Sequence, residues 1–177
     1  MPTATILMGG DGFHKGWLSI VGAAAGWQAV ENDDADTSYI VIQNPGFDPS
    51  APSGQASFVF SGLSNIRASQ VRIVTTHKRD AGFAPQVDVG LLSIHRYGGS
   101  VNSPVQVNHP DVFISLGFYQ THSRAFDVNP FNGQAWQPGD FNGLQAWVNN
   151  GTVFATRITR LAIEAEYDEP TNTRYLH

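Results

Sequence analysis

The sequence has 177 residues and a mass of 19.2 kDa, which fits one domain with a single hydrophobic core and is too short for two. Charged residues make up 14% and hydrophobic residues 41%, while 18 Gly and 10 Pro require many turns, so disorder and coiled coil are excluded. The net charge of −5 argues against a nucleic-acid partner, and the absence of Cys excludes a disulfide scaffold, thiolate zinc sites and cysteine catalysis.

The opening from Met1 to Trp27 is rich in Gly and Ala and shows neither clear alternation nor a capped amphipathic helix. Two interpretations stay open for it: an extended arm that orders against a partner, or a first strand at Trp17–Val21 followed by a loop. No basic region precedes its short apolar patch, and no stretch of the chain approaches the ~18 apolar residues of a membrane span. Neither export nor a membrane partner is therefore expected.

From Thr37 onward, runs of β-branched and aromatic residues alternate with clusters of Pro, Gly and Asn, which predicts a series of strands separated by turns. The longest alternating run places Val71 and Ile73 on one face and Arg72 on the other, so one side of this strand is partly solvated. A bulge or a close contact is predicted at Gly90. The predicted strands are Thr37–Gln43, Ala56–Gly62, Ser69–Arg79, Val87–Tyr97, Val112–Tyr119, Arg124–Val128, Leu144–Val148 and Thr156–Tyr167.

The final run, Thr156–Tyr167, contains good helix formers as well as strand residues. Its apolar residues alternate at period two and Pro170 bounds it, which favours a strand over a helix. A single helical turn is predicted after Gly139, where Asp140 is a good cap. About eight strands with at most one short helix are typical of a sandwich or barrel, so the predicted fold class is all-β.

Histidines offer a weak signal for a metal or catalytic site. None of the six stands in an HxH or HExxH spacing that places two ligands on one face. His77 and His95 lie on separate predicted strands, and a pairing across a sheet stays open for them, although polar edge or surface positions explain the histidines better. The six are His14, His77, His95, His109, His122 and His177.

The acidic run at Asp33, Asp34 and Asp36 offers hard oxygen ligands of the kind that calcium prefers. It lacks the Gly and the closing Glu of an EF-hand loop, so a bound loop cation and a solvated acidic loop are both open. The sequence makes no positive case for a metal.

Motifs for bond-breaking chemistry are missing. The sequence has no GxSxG nucleophile elbow and no GxxxxGK[ST] phosphate loop, so neither an enzyme nor a cofactor is predicted. Glycosidase carboxylates have no short motif, and three of the four Glu cluster at the last strand, where an outward-facing polar row is the expected explanation. These are Glu164, Glu166 and Glu169.

Aromatic residues in the predicted strands are expected in the core by default. Trp136 and Trp147 flank a Pro-Gly-Asp-Phe-Asn-Gly segment and are expected to pin that loop to the end of the sandwich. Trp17 and Trp27 need a surface to cover them, supplied by the protein's own core or by a neighbouring subunit. For any of the four, a sugar-stacking platform is the third option. The strand phenylalanines are Phe58, Phe60, Phe113 and Phe118.

The order of five segments carries a family resemblance. They are Ala56–Leu63, Ile66–Ile73, Val87–Leu92, Trp136–Trp147 and Arg157–Tyr167. This order resembles the jelly-roll domains of tailed-bacteriophage structural proteins, in which a Trp-led segment precedes the penultimate strand and the closing strand ends in Tyr. The resemblance covers about residues 37–168 and rests on a framework of core positions that sandwiches of many functions share.

The resemblance implies a jelly-roll β-sandwich of about eight strands at residues 37–168. The Gly- and Ala-rich composition of the opening predicts an extended N-terminal arm or lead-in at residues 1–36, and the polar residues at 169–177 predict a flexible tail. The resemblance also implies a non-enzymatic virion structural protein, namely a capsid decoration or cement protein. Such a protein binds the outside of a phage shell, bridges neighbouring subunits of the major capsid protein and self-associates, often as a homotrimer. Phe13, Trp17 and Trp27 are the candidate partner-binding residues.

A different class of function stays open beside it. In a carbohydrate-binding or receptor-binding β-sandwich module of a virion tail or secreted protein, an exposed Trp or Tyr stacks on a sugar ring while Asp and Asn side chains bind its hydroxyls. A glycan-cleaving enzyme that uses pairs of Asp and Glu is the third and least favoured class.

Overall fold

Two antiparallel β-sheets, packed face to face, form the framework of the protein in a computed structural model. The structure describes residues 3–6, 8–31, 34, 36–43, 54–60, 67–79, 86–93, 97, 105–113, 117–150 and 155–167. These residues form eleven strands, one α-helix and one 3-10 turn at Pro138–Phe141. The elements are β1 (Thr3–Ile6), β2 (Met8–Lys15), β3 (Trp17–Val21), α1 (Gly26–Ala29), β4 (Tyr39–Ile42), β5 (Gln55–Phe60), β6 (Ala68–Arg79), β7 (Gln86–Ser93), β8 (Val105–Phe113), β9 (Gln120–Phe126), β10 (Leu144–Asn150) and β11 (Thr156–Tyr167).

The chain passes repeatedly from one sheet to the other. One sheet has the order β3-β4-β11-β6-β9, and β1 pairs with β11 as its sixth strand. Here β4 pairs with the start of β11 and β1 with its end, so the two short strands share one side of the long one. The other sheet has the order β2-β5-β10-β7-β8. The fold is therefore an all-β jelly-roll β-sandwich, which confirms the predicted fold class.

Alternate residues of the strands fill the space between the sheets. On β10, the side chains of Leu144, Ala146 and Val148 belong to the buried core. Gln145 and Trp147 stand between them and therefore face away from the core, on the outer side of the five-stranded sheet. This alternation places the candidate site described below.

A β-bulge explains the uneven apolar spacing of β11. The pairing of β11 with β6 shifts between Ile158 and Arg160, so Ile158 and Leu161 both reach the core although they are three residues apart. The hydroxyl of Thr159, within the bulge, donates a hydrogen bond of 3.0 Å to the carbonyl of Ser38. The strand predicted at Thr156–Tyr167 is confirmed at both bounds.

The strand predicted at Val112–Tyr119 begins and ends earlier than the sequence indicates. β8 passes through Pro110, which the sequence marks as a boundary. Pro110 and Asp111 together oppose Asp88 of β7 at a register shift, and β8 is an edge strand. Proline is tolerated at such a position because its missing N–H removes no hydrogen bond from the ladder.

The opening segment forms strands of both sheets. β1 pairs with β11, β2 is an edge of the five-stranded sheet and β3 pairs with β4. The alternative of a first strand at Trp17–Val21 is confirmed at both bounds, and the described residues of this segment do not form an extended arm. The alternation was hidden because β2 contains three Gly and a bulge. The domain boundaries at residues 36 and 168 stay predictions, and the tail at 169–177 lies outside the described residues.

Helical structure is confined to two short pieces in the part of the chain that the structure describes. A turn is present near the predicted place, but it begins at Pro138, before Gly139, and its N-cap is Gln137 instead of Asp140. Asp140 lies within the turn and accepts the backbone N–H of Gln137 at 2.8 Å. Helix α1 had no predicted counterpart, since its four residues carry no helical periodicity. None of the helices among the described residues has the length and apolarity to cross a membrane.

The core becomes polar where β6 meets the edge strand β9. The rings of His77 on β6 and His122 on β9 stack with centroids 5.0 Å apart. Both ring nitrogens of His77 and the hydroxyl of Thr75 are buried, and no described residue forms a hydrogen bond with them. Burial lowers the pKa of His77 from its ordinary value of 6.5 to about 3, and the nearby His122 acts in the same direction. His77 is therefore neutral at pH 7.

This buried histidine predicts acid-sensitive stability. The unfolded chain binds a proton at His77 near pH 6.5 and the folded chain only near pH 3, so stability is complete above pH 6.5 and declines as the pH falls toward 3. The slope from this one group is ~1.4 kcal/mol per pH unit. Urea unfolding at pH 7 and pH 5 should show a smaller loss for His77→Phe than for the wild type, by about 2 kcal/mol. Equal losses in the two proteins would contradict the assignment.

Candidate functional site

The outer face of the five-stranded sheet carries an aromatic side chain among polar ones. Trp147 of β10 lies opposite Ser57 of β5 on one side and Gly90 of β7 on the other. Gln145, two residues earlier on β10, points to the same face. Trp147, Gln145 and Ser57 are almost fully buried although they lie outside the core between the sheets. Other parts of the chain must therefore cover this face.

Gly90 provides the space for the Trp147 indole. A Cβ atom at position 90 would collide with Nε1 of Trp147 and with the backbone carbonyl of Val107. The indole therefore lies directly over the glycine, and a side chain at position 90 would displace it. The close contact predicted from the sequence at Gly90 is confirmed.

A bulge of β2 crosses the same face. Asp11 pairs with Phe58 and Lys15 with Ala56, so three residues of β2 stand opposite one residue of β5. These three are Gly12, Phe13 and His14. We call Gly12–His14 the β2 bulge.

Side-chain hydrogen bonds hold the β2 bulge in place. The backbone N–H of Phe13 donates to Oε1 of Gln145 at 2.8 Å, and the N–H of His14 donates to the hydroxyl of Ser57 at 2.8 Å. The Ser57 hydroxyl in turn donates to the same Oε1 of Gln145 at 2.9 Å. At Gly12 a Cβ atom would collide with both Gln145 and Ser57, so the backbone lies directly against the sheet. The β2 bulge is thus one cover of the face.

Three rings lead from the buried face to the surface. The imidazole of His14 lies with its centroid 6.4 Å from that of Trp147. The ring of Phe13 meets His14 edge-on, with centroids 4.9 Å apart and an interplanar angle of 81°. Phe13 is 40% exposed, whereas Trp147 is 1% exposed. We call Phe13, His14 and Trp147 the ring cluster.

Two polar atoms of the ring cluster have no hydrogen-bond partner among the described residues. They are Nε1 of Trp147 and Nε2 of His14, and both are buried. Burial lowers the pKa of His14, while a hydrogen bond with Gln106 opposes the shift, so the imidazole is neutral at pH 7. Buried polar groups without partners are uncommon in native proteins and mark places where water or a ligand supplies the missing bond.

Neutral polar side chains continue along this sheet. Asn149 of β10 lies within 3.5 Å of the Asp88 carboxylate on β7, and Gln106 of β8 is exposed. Asp11 of β2 is engaged elsewhere, since its Oδ1 accepts the backbone N–H of Trp27 at 2.9 Å near the start of α1. Amide and hydroxyl groups beside aromatic rings suit a neutral polar ligand such as a sugar.

Of the three residues predicted to bind a partner, Phe13 lies in the ring cluster and the other two do not. Trp17 stacks on the core residue Phe58, with centroids 6.1 Å apart and an interplanar angle of 10°. Trp27 is partly buried and also packs against the core. The sequence left two possible covers open for these tryptophans, the protein's own core and a neighbouring subunit. The structure shows that the core covers them. Partner binding through Phe13, Trp17 and Trp27 stays a prediction.

The tryptophans that flank the 3-10 turn have different positions. Trp136 is fully buried in the core, stacks on Phe141 and donates from Nε1 to the carbonyl of Phe126 at 3.0 Å. It therefore fixes the turn as the sequence predicts, whereas Trp147 faces outward. Phe118, expected in the core, lies in a bend and is 58% exposed.

Metal ligation finds no support in the geometry. Within the described ranges, no group of three His, Asp or Glu side chains stands close enough to hold an ion. His77 stacks with His122, and its proposed partner His95 lies outside the described residues. Asp34 accepts hydrogen bonds from the N–H and hydroxyl of Ser38, and Asp33 is not among the described residues.

Glutamates of β11 form the outward-facing polar row that the sequence predicts. Glu164 lies 3.4 Å from Arg72 and 3.2 Å from Arg160, and Glu166 lies 3.3 Å from Arg72. The carboxylates are thus paired with arginines on the outer face of the six-stranded sheet, which confirms that prediction for these two. Glu169 lies outside the described residues.

Sequence reasoning missed most of the site. Ser57 and Gln145 gave no signal, and His14 was only one of six histidines without a ligand spacing. These residues meet through a bulge and through pairings between distant segments. Phe13 and Gln145, for example, are 132 residues apart. The signal that did exist was Gly90, whose lack of a side chain is explained by the backbone carbonyl of Val107 and by the indole of Trp147, both of which lie against it.

No protein-family model matches the sequence, and no curated protein matches it. Among solved structures, the chain is similar to the N-terminal CBM22-1 and GH10 modules of Clostridium thermocellum endo-1,4-β-D-xylanase 10B complexed with xylohexaose. The TM-score is 0.53 at 8% identity, covering 94% of this chain and 29% of that one. A second similar structure is the CBM22-2 xylan-binding domain of Paenibacillus barcinonensis Xyn10C, with a TM-score of 0.37, 13% identity, and coverage of 72% of this chain and 86% of that one.

The glycine beneath Trp147 gives a direct test of this geometry. Gly90→Ala should lower the free energy of unfolding by about 1–3 kcal/mol, because the added methyl group meets a backbone carbonyl that cannot move independently of β8. Ser123→Ala, at an exposed position of β9, should change it by less than about 0.5 kcal/mol. Urea unfolding at pH 7 measures both. A Gly90→Ala variant as stable as the wild type would show that the carbonyl of Val107 and the indole of Trp147 do not lie against Gly90.

The similarity to the xylanase modules, at 8% identity, establishes the fold, and the chain spans 29% of the length of that structure. That comparison and the strand order together show a jelly-roll β-sandwich fold.

Proposed function

We propose that the protein is a carbohydrate-binding module whose ligand site is the ring cluster on the outer face of the five-stranded sheet. One observation carries the proposal: in the part of the chain that the structure describes, Nε1 of Trp147 and Nε2 of His14 have no hydrogen-bond partner, and the exposed ring of Phe13 lies beside them. A sugar presents apolar C–H faces and hydroxyl groups together, so one ligand can contact a ring and also satisfy ring nitrogens.

The chemistry of the surrounding groups favours a neutral ligand. The indole N–H of Trp147 is a donor, and the neutral imidazole of His14 has one donor and one acceptor nitrogen. Gln106 and Asn149 add amide groups that both donate and accept. Hydroxyl groups also donate and accept, so they match this set better than a phosphate, which only accepts.

Access to the buried atoms requires the β2 bulge to shift. β2 is an edge strand, and the N–H groups of Phe13 and His14 bind side chains instead of a neighbouring strand. Movement of the β2 bulge therefore breaks side-chain hydrogen bonds and leaves the central ladder of the sheet intact. Local openings of this kind occur in the least stable parts of a fold.

The structural comparison supplies the first ligand to try. The similar xylanase structure is complexed with xylohexaose, and this ligand belongs to the xylanase. A β-1,4-linked xylo-oligosaccharide is nevertheless a rational probe here, because the two chains share the sandwich fold. Neutral hexose oligosaccharides form the second set of probes.

Calorimetric titration with xylohexaose and a panel of neutral oligosaccharides tests the proposal. Phe13→Ala should weaken binding about tenfold, since one aromatic contact is worth ~1.4 kcal/mol. Phe118→Ala is the matched control, because Phe118 is a more exposed phenylalanine that lies outside the ring cluster. Binding should be unchanged in that variant. Equal effects of the two substitutions, or no binding by any glycan on the panel, would contradict the proposal.

The virion interpretation remains a separate prediction. The mass of the protein in solution tests whether it forms a homotrimer. Co-sedimentation with phage shells tests whether it binds the major capsid protein as a capsid decoration protein. We propose, in line with the missing catalytic motifs, that the protein does not break glycosidic bonds. Reducing ends released from xylohexaose would overturn that part.

A further inference from the structure

A second cluster of polar side chains lies on the opposite face of the sandwich, at one end of the six-stranded sheet. Its centre is the carboxylate of Asp36, just before β4. Oδ1 of Asp36 accepts from Nζ of Lys78 at 2.8 Å, from Nη1 of Arg157 at 2.8 Å and from the hydroxyl of Tyr119 at 3.0 Å. Oδ2 accepts a further hydrogen bond from Lys78 at 3.0 Å. We call Lys78, Arg157 and Tyr119 the carboxylate cradle.

The sheet holds the cradle in position independently of Asp36. Lys78 on β6 and Arg157 on β11 are direct partners in the strand register. The ammonium of Lys78 lies 4.6 Å from the centroid of the Tyr119 ring, and the guanidinium of Arg157 lies 4.8 Å from that of Tyr39. Such cation–π contacts restrict both cations. The donors therefore converge on one point because of sheet geometry.

The carboxylate in the cradle, in contrast, comes from outside the sheet and faces solvent. The side chain of Asp36 is 60% exposed, whereas that of Lys78 is 11% exposed. Hydrogen bonds with Lys78 and Tyr119 lower the pKa of Asp36, so it is ionised at pH 7. Burial and the neighbouring Asp36 raise the pKa of Tyr119, which keeps its hydroxyl protonated as a donor.

We propose that the carboxylate cradle is a binding site for the carboxylate of a ligand, and that Asp36 occupies it when the ligand is absent. Without Asp36 the site holds two positive charges and a phenol donor around a vacated oxygen position. Planar carboxylates match that arrangement through charge-assisted hydrogen bonds. A sugar acid and a simple organic acid both supply the group, and the experiment separates them. This site is independent of the neutral-sugar site proposed on the other sheet.

Asp36 therefore competes with the ligand for the carboxylate cradle. A tethered group competes with a free ligand at an effective concentration in the millimolar range or above. The wild type should consequently bind carboxylates weakly, and removing Asp36 should strengthen binding at least tenfold. Replacing Arg157 in the same background should remove the gain.

Titrations of the full chain with D-glucuronate, acetate and D-glucose test the proposal. Asp36→Ala should bind both carboxylates at least tenfold more tightly than the wild type and should ignore D-glucose. Tighter binding of glucuronate than of acetate identifies a sugar acid, and equal binding identifies the carboxylate alone. The gain should be lost in Asp36→Ala with Arg157→Gln. Asp36→Asn, which keeps the shape of the side chain, should also bind more tightly than the wild type.

Glu164→Ala provides the matched control, because it vacates another carboxylate held by two arginines but without a tyrosine hydroxyl. It should not gain carboxylate binding. An equal gain in Glu164→Ala, no binding by Asp36→Ala, or no detectable binding by the wild type at saturating ligand would overturn the proposal. Binding of neutral oligosaccharides by Asp36→Ala should equal that of the wild type, so this result separates the two sites.

Discussion

The pairing of β11 with β6 is the interaction on which the rest of the sandwich depends. The two strands are the longest in the described structure, and they pair along almost their whole length in the centre of the six-stranded sheet. On its other side, β11 pairs with both β1 and β4, which ties the opening segment to the end of the chain. Disruption of β11 would therefore release strands from three separate parts of the sequence. Because of the bulge at Thr159, the apolar side chains of β11 on both sides of the bulge face the core.

The two faces of the sandwich present different chemistry because different constraints shape them. On the five-stranded sheet, the β2 bulge and Gly90 create the space in which the ring cluster lies, and the amide of Gln145 and the hydroxyl of Ser57 bind the β2 bulge there. On the six-stranded sheet, outward side chains of β6 and β11 form ion pairs along the strands and the carboxylate cradle at one end. The two sites that we propose therefore lie on opposite faces of the sandwich.

The sequence predicted strands well where the period-two pattern is regular and bounded by turn residues. Thr156–Tyr167 was predicted at both bounds because its second half alternates regularly and Pro170 follows it, although a bulge interrupts its first half. The all-β architecture follows from several runs of this kind. The errors lie where a bulge breaks the pattern. Pro110 stands in an edge bulge of β8, and the glycines of β2 accompany the bulge that hides a strand inside what resembled an arm. The candidate site was beyond sequence reasoning because Phe13 and His14 meet Ser57 and Gln145 only through tertiary pairing.

We propose that a carbohydrate binds to the outer face of the five-stranded sheet and forms a hydrogen bond with the indole N–H of Trp147. The most direct measurement is the nuclear magnetic resonance signal of the tryptophan indole N–H groups during titration with xylohexaose, with Trp147→Phe and Trp136→Phe used for assignment. We expect the Trp147 signal to shift in proportion to the fraction of protein that has bound the oligosaccharide. The signal of Trp136, whose indole N–H is hydrogen-bonded in the core, should stay unchanged. Binding of the oligosaccharide without a shift of the Trp147 signal would contradict the proposal.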